Sequence, residues 1–193
     1  MPVDPSLHPK LVELLARHAY QVKPAGEYMT LASGQTTREY LDCRKVLGHP
    51  DALREVAEAV GIARNDVDAI GGVAIGGIAI AAAVALRSTR FIYTMPWFYV
   101  RLRQKTHGTY CMIEGAVQPG FNVCLVDDVV TTGESIITAV LACQDFGLHV
   151  RQVIALVDRE QNGLDRIRNV VGPDVPVSAL CTLSQIREAH HAL

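Results

Sequence analysis

The spacing of apolar residues changes along this chain, and the changes separate helices from strands. Near the N-terminus Leu7, Leu11, Leu14, Leu15 and Ala19 recur at helical intervals, which predicts an amphipathic helix over Ser6 to Tyr20, entered after Pro5. A short strand over Tyr28 to Leu31 breaks at Ser33-Gly34, and a second run extends from Thr36 to Val46, the pattern of a hairpin about a glycine turn. Gly48-His49-Pro50 ends that run, and a helix over Asp51 to Ala63 follows. Further on, strands are expected at Ala69 to Ala74, Phe91 to Val100 (interrupted at Pro96), from Val123, at Arg151 to Val157 and at Val175 to Leu180. The runs at Ala69, Val123 and Arg151 lack polar alternation, as suits strands buried on both faces of a parallel sheet. Helices over Ile78 to Arg87 and Ile136 to Phe146 lie between them. Thr182 with Gln185 three residues later forms a capping box for a last helix, and His190-His191 reads as a solvated tail. Strands alternating with helices predict an α/β fold, a central and mainly parallel sheet flanked by helices.

A length of 193 residues suits one α/β domain over the whole chain. With 18 basic against 20 acidic residues, a net charge of −2 advertises neither nucleic acid nor an anionic membrane as partner. The five cysteines are scattered without metal-ligand spacing, and Cys124 falls in a core strand, so a reduced, cytoplasmic protein is expected. Met1 to Lys10 carries Asp4 and three prolines ahead of any apolar run, unlike a signal peptide. Ala69 to Leu86 is almost wholly apolar, but its two Gly-Gly pairs, after Asp66 and Asp68, fit a strand, a turn and an Ala-rich helix better than a membrane span. There is no internal repeat and no low-complexity tract.

The chemistry concentrates in Val123 to Ser135. An apolar strand ends in Asp127-Asp128, then come Val129, Val130, Thr131, Thr132, Gly133, Glu134 and Ser135, and then a helix. Strand, polar turn and helix put this loop at the carboxyl end of the sheet, where open α/β folds bind ligands. Gly133 allows close backbone approach, the N–H groups of the helix start favour an anion, and the hydroxyls add short donors. A phosphate alone would be repelled by two carboxylates. Carboxylates do accept from vicinal sugar hydroxyls and hold the waters of a Mg²⁺, so a phosphorylated ribose carrying pyrophosphate fits both ends.

Three further segments fit such a ligand. Gly76-Gly77, read as the loop after the Ala69 strand, either forms an anion cradle from its backbone N–H groups or serves only tight packing of the turn. In Arg101-Leu102-Arg103-Gln104-Lys105-Thr106-His107-Gly108 the cations fall at every second residue. An extended chain would put Arg101, Arg103, Lys105 and His107 on one face, either as a clamp for a polyanion or as the charged edge of a solvated strand. Arg159, at the end of the strand from Arg151, is placed either to hold a planar acid substituent bidentately or to pair locally with Glu160 or Asp165.

Val123 to Ser135 resembles the phosphoribosyl-pyrophosphate signature of type I phosphoribosyltransferases, and three other motifs narrow the resemblance to orotate phosphoribosyltransferases. Residues 29 to 44 are similar to that family's L-x-S-G…Y-x-D-x-R segment, Arg101 to Gly108 to its V-R-x-x-x-K-x-H-G loop, and Asp158 to Gly163 to its D-R-x-x-x-G. Ala32 and Leu102 stand where many members have Lys. The resemblance implies a type I phosphoribosyltransferase fold, with a small hood formed within residues 1–48, a core over residues 66–193 and a flexible loop at about 101–112. It implies transfer of phosphoribose from phosphoribosyl pyrophosphate to orotate, giving orotidine monophosphate and pyrophosphate, with Mg²⁺ as cofactor. Asp127 and Asp128 would hold the ribose hydroxyls and the metal, mainly through water, residues 131 to 135 would cradle the 5′-phosphate, and Val129 and Val130 would belong to the same phosphoribosyl-pyrophosphate site. Gly76, Gly77, Arg101, Arg103, Lys105 and His107 would attend the pyrophosphate, and Arg159, Thr131 and Tyr40 the orotate. A homodimer is implied, because in the family the basic loop reaches the neighbouring subunit's site.

Overall fold

The computed structural model describes residues 8–30, 36–60, 66–89, 94–102 and 112–193. Helix α1 (Pro9–His18) begins at Pro9, whose fixed φ and missing N–H suit a first helical turn. It is shorter than its pattern predicts. Tyr20 belongs instead to strand β1 (Tyr20–Val22), which pairs antiparallel with β4 (Glu39–Leu41). Between them β2 (Met29–Thr30) and β3 (Thr36–Thr37) form a second antiparallel pair. The run from Thr36 to Val46 is therefore not one strand. It turns into helix α2 (Cys43–Leu47), because Cys43, Val46 and Leu47 can be buried together only at helical spacing. Helix α3 (Pro50–Ala59) follows, again led by a proline and ending short of the expected Ala63.

The core elements are β5 (Ala69–Val73), α4 (Gly76–Ser88), β6 (Trp97–Val100), β7 (Ile113–Gly115), β8 (Asn122–Val130), α5 (Glu134–Phe146), β9 (His149–Asp158), α6 (Gly163–Val171), β10 (Val177–Thr182) and α7 (Leu183–His191). Several boundaries differ from the sequence pattern, β9 among them, which begins two residues before Arg151. Gly76 and Gly77 are the first residues of α4 rather than a loop, and α5 begins at Glu134, two residues before its apolar periodicity. Strand β6 covers the part after the expected break at Pro96, residues 94–96 not being strand and residues 91–93 lying outside the described residues, and β10 starts at Val177, after Pro176, which has no N–H for the ladder. Helix α6 is absent from the sequence reading, which stops at Asp158 to Gly163, although Leu164, Ile167, Val170 and Val171 recur at helical spacing just beyond. The capping box of α7 is present, with Thr182 Oγ1 accepting from the Gln185 N–H and the Gln185 side chain accepting from the Thr182 N–H. His190 is no solvated tail. It lies half-buried in the last turn of α7, its Nδ1 3.0 Å from the Ala16 carbonyl and its ring edge-on to Tyr20, whereas His191, the last residue of the helix, is exposed as expected.

The sheet runs β10-β9-β8-β5-β6-β7, parallel except for β7. Strand alternation divides β8 between two cores. Cys124 and Val126 face α1, α2, α3, α4 and α7, whereas Val123 and Leu125 face α5 and α6. Burying each such large side chain contributes about 1.5–3 kcal/mol. Helix α4 lies so close to the sheet that a Cβ on Gly77 would collide with the Val126 carbonyl, and one on Gly72 with the Gly77 carbonyl. Chain order reverses between β5 and β8: β6 lies on one side of β5, and the chain then returns to the other side with β8. Such a reversal opens a crevice at the carboxyl ends of the strands. Among the described residues no helix is long and apolar enough to cross a membrane, and Ala69 to Leu86 is divided between β5 and α4.

Candidate active site

Both carboxylates of β8 lie at this crevice. Asp127 is 6% exposed and faces the core side of the strand end. Its Oδ1 accepts from the Asp128 N–H at 2.9 Å, and Asp128 Oδ1 in turn accepts from the Val129 N–H at 2.9 Å. Burial first, and then the charge of Asp128, pushes the Asp127 carboxyl well above the ordinary carboxylate range. The Asp128 carboxylate occupies the space where a Gly76 side chain would stand, at the first turn of α4. The predicted acid pair and the predicted Gly76-Gly77 anion site are therefore in contact, although 50 residues separate them in sequence.

From the acid pair the chain turns through Val129 to Ser135 and lines a cleft of about 370 Å³ with Asp127, Leu102, Ile136 and Thr138. Gly133 takes φ +78°, a conformation that L side chains rarely adopt, and a Cβ there would lie 2.7 Å from the Gly163 carbonyl. No side chain caps α5, so its first-turn N–H groups remain available at the cleft, beside the exposed Thr132 and Ser135. Arg166 Nη1 donates to the Thr132 carbonyl at 2.7 Å and braces the turn from α6. Sequence reading missed Arg166. Its only signal is a position three residues after Gly163, which carries no meaning until α6 is seen packed under the turn.

Arg159 follows the end of β9 and is hydrogen-bonded through its N–H to the carbonyl of Val130, a residue of the cleft, at 2.9 Å. Its Nε is buried and has no hydrogen-bond partner among the described residues. The local ion pair considered for it is not formed. Glu160 Oε2 accepts from the Ser184 N–H and hydroxyl at 2.9 and 2.6 Å, and Asp165 pairs with Arg168 at 2.6 Å.

Tyr40 lies on β4, 3.5 Å from Arg44, whose Nε donates to Asp42 at 2.8 Å. That hydrogen bond leads the effects holding the Asp42 carboxyl below its ordinary range. Helix α2 starts near the acid pair, since burial, and next the Asp128 charge, pushes the Cys43 thiol up. Strand β4 is bound to the far end of the chain by Arg187, whose Nε and Nη2 donate to Glu39 Oε2 at 2.8 and 2.6 Å. Arg101 sits at the crevice rim next to Leu102, with its guanidinium turned to the Tyr99 hydroxyl at 3.0 Å and to Glu114 at 3.4 Å. Arg103, Lys105 and His107, like Ala32, lie outside the described residues. The four described cysteines are buried and form no disulfide.

A doubly covered sheet whose switch crevice holds an acid pair, a glycine-led helix start and a hydroxyl turn defines the class. The solved structures agree. One of Mycobacterium tuberculosis H37Rv orotate phosphoribosyltransferase, with Fe(III) dicitrate, matches with a TM-score of 0.78 at 28% identity, covering 93% of this chain and 98% of that one. Another of the same enzyme, with 5-phospho-α-D-ribosyl 1-diphosphate (PRPP), gives 0.75 at 26% identity, over 94% of this chain and 99% of that one. The fold is that of the type I phosphoribosyltransferases. No protein-family model matches the chain. In sequence it is 34% identical over 179 residues to the orotate phosphoribosyltransferase of Aquifex aeolicus (strain VF5), across 92% of this chain and 96% of the relative. The chain belongs to the orotate phosphoribosyltransferase family.

Proposed function

We propose that this protein transfers the 5-phosphoribosyl group from phosphoribosyl pyrophosphate to orotate, releasing orotidine 5′-monophosphate and pyrophosphate, as a step of UMP biosynthesis in the cytoplasm. The observation that carries the choice of base is Arg159. A buried guanidinium edge without a partner, one hydrogen bond from the cleft, suits a ligand carboxylate held bidentately. Tyr40 and Thr131 complete the orotate contacts. Family membership and the PRPP-bound relative support the same donor and acceptor.

Loss of pyrophosphate leaves oxocarbenium character on the ribose, so the reaction needs charge neutralisation and positioning more than a nucleophile. Thr131 to Ser135 and the N–H groups of α5 hold the 5′-phosphate, with Val129 and Val130 as the wall below. Asp127 and Asp128 accept from the ribose hydroxyls and place negative charge beside the developing cation. Gly76 and Gly77 present N–H groups to the pyrophosphate, and Arg101, Arg103, Lys105 and His107 neutralise it as it leaves. For that role Arg101 exchanges Tyr99 and Glu114 for the ligand. Asp127 and Asp128 would also hold Mg²⁺, mainly through water, and when bound the ion supplies positive charge to the pyrophosphate oxygens. The donor set fits: two adjacent hard oxygen ligands, one of them buried at a cost that a cation relieves.

The protein acts as a homodimer in which the Arg101 to Gly108 segment serves the neighbouring site. Incubation with PRPP and Mg²⁺ should deplete orotate but leave adenine, hypoxanthine and uracil untouched. Consumption of a purine instead would overturn the base assignment. For the shared site, Lys105→Ala and Asp128→Asn homodimers should each be nearly inactive. Random subunit exchange should restore about a quarter of wild-type activity, since half the dimers carry one intact site of two. No recovery after confirmed exchange would mean that each segment serves its own chain.

A further inference from the structure

A carboxylate next in sequence to Arg159 would ordinarily compete with an incoming substrate carboxylate for the guanidinium. The fold disposes of this competitor. Glu160 adopts φ +60°, uncommon for a residue with a Cβ, and so turns its side chain away towards α7. There its Oε2 takes both the backbone N–H of Ser184, at 2.9 Å, and the Ser184 hydroxyl, at 2.6 Å. Ser184 lies in the first turn of α7, where unpaired N–H groups and the helix dipole stabilise a negative charge. Helix α7 is itself fixed at both ends. Its N-terminus carries the Thr182–Gln185 capping box, Arg187 grips Glu39 of β4, and His190 lies against the Ala16 carbonyl of α1. Arg159 is thus pinned on both sides: its N–H donates to the Val130 carbonyl at 2.9 Å, and the following N–H, that of Glu160, donates to Asp158 Oδ1 at 2.9 Å.

We propose that Glu160 is a positioning residue for recognition of the base: by clamping onto the first turn of α7 it keeps Arg159 aimed and unpaired for the substrate carboxylate. The proposal rests on the assignment of Arg159 to orotate. Helix α7 is then the platform that joins this arginine to the N-terminal strand carrying Tyr40. Glu160 does not touch the substrate.

Three variants and a reference test this by steady-state kinetics in both substrates. Glu160→Gly suits the positive φ, so the backbone is not strained, but the clamp is lost. Its KM for orotate should rise roughly tenfold to a hundredfold, while that for PRPP stays within about twofold. Glu160→Gln keeps an acceptor for both Ser184 groups and should remain within about threefold of wild type. Ser184→Ala removes only the hydroxyl bond and should fall between them. Arg159→Leu is the reference. If it raises the orotate KM and Glu160→Gly does not, or if Glu160→Gly raises both KM values equally, the clamp has no positioning role and the proposal is overturned. An unchanged orotate KM in Arg159→Leu overturns the base assignment itself, and the role of Glu160 with it.

Discussion

The two ends of the crevice are built in opposite ways. The end proposed to hold phosphate is one continuous segment, Asp127 to Ser135, in which each residue is a neighbour of the next and the first turn of α5 completes the cleft. The end proposed to hold the base is assembled from parts that sequence keeps far apart. Arg159 follows β9, Glu160 is clamped to Ser184 on α7, and Arg187 of the same helix holds Glu39, beside Tyr40. A ligand end that every substrate of a class shares can be served by a single βα turn, because backbone N–H groups recognise phosphate without side-chain specificity. A particular base needs side chains fixed in relative position, and that takes several elements braced against one another. Damage to the contiguous end should therefore remove chemistry, whereas damage to the assembled end should remove discrimination.

The largest effect is expected at the acid pair. Changing both Asp127 and Asp128 to Asn keeps shape and the local N–H acceptors but removes negative charge beside the developing cation. Turnover should fall by on the order of 10³-fold, with the fold intact by circular dichroism. Unchanged kcat would reduce the pair to turn residues and leave the phosphate end without chemistry. Next comes Arg159→Leu, which should sharpen the contrast. Loss of a charged hydrogen-bonding group costs about 2–3 kcal/mol, roughly 30- to 150-fold in the orotate KM, with little change for PRPP. Equal increases in the two KM values would erase the distinction between the ends.

The smallest effect concerns stability. Burial and the Asp128 charge raise the Asp127 carboxyl, so the folded protein favours its neutral form. This group costs nothing below the ordinary Asp value of about 3.9, and its ionisation penalty grows as pH rises through the raised value. The single variant Asp127→Asn escapes that penalty. Its ligand-free melting temperature should therefore exceed that of wild type at neutral pH, and the two should converge near pH 3, even though turnover is reduced. A difference independent of pH would mean that Asp127 ionises without cost. Such a trade of stability for function is expected where a buried charge awaits a ligand.

What the sequence determined by itself follows from locality. Apolar runs placed the core strands at Ala69, Val123 and Arg151 because strands buried on both faces cannot carry alternating polar residues. The acid pair, the hydroxyl turn and the capping box of α7 were legible because their partners lie within a few residues, and four motifs in order identified the family. Tertiary structure decided what depends on close approach between distant segments. Gly76 has no side chain because the Asp128 carboxylate occupies that space, and Gly133 is bounded by the Gly163 carbonyl, which α6 brings up from 30 residues further along the chain. Cys43 to Leu47 became helical only because a core was there to receive three side chains at once. The fate of Glu160 was likewise invisible in sequence. Beside Arg159 it reads as an ion-pair partner, and only the helix terminus brought up by the fold, a better place for its charge, leaves the arginine free.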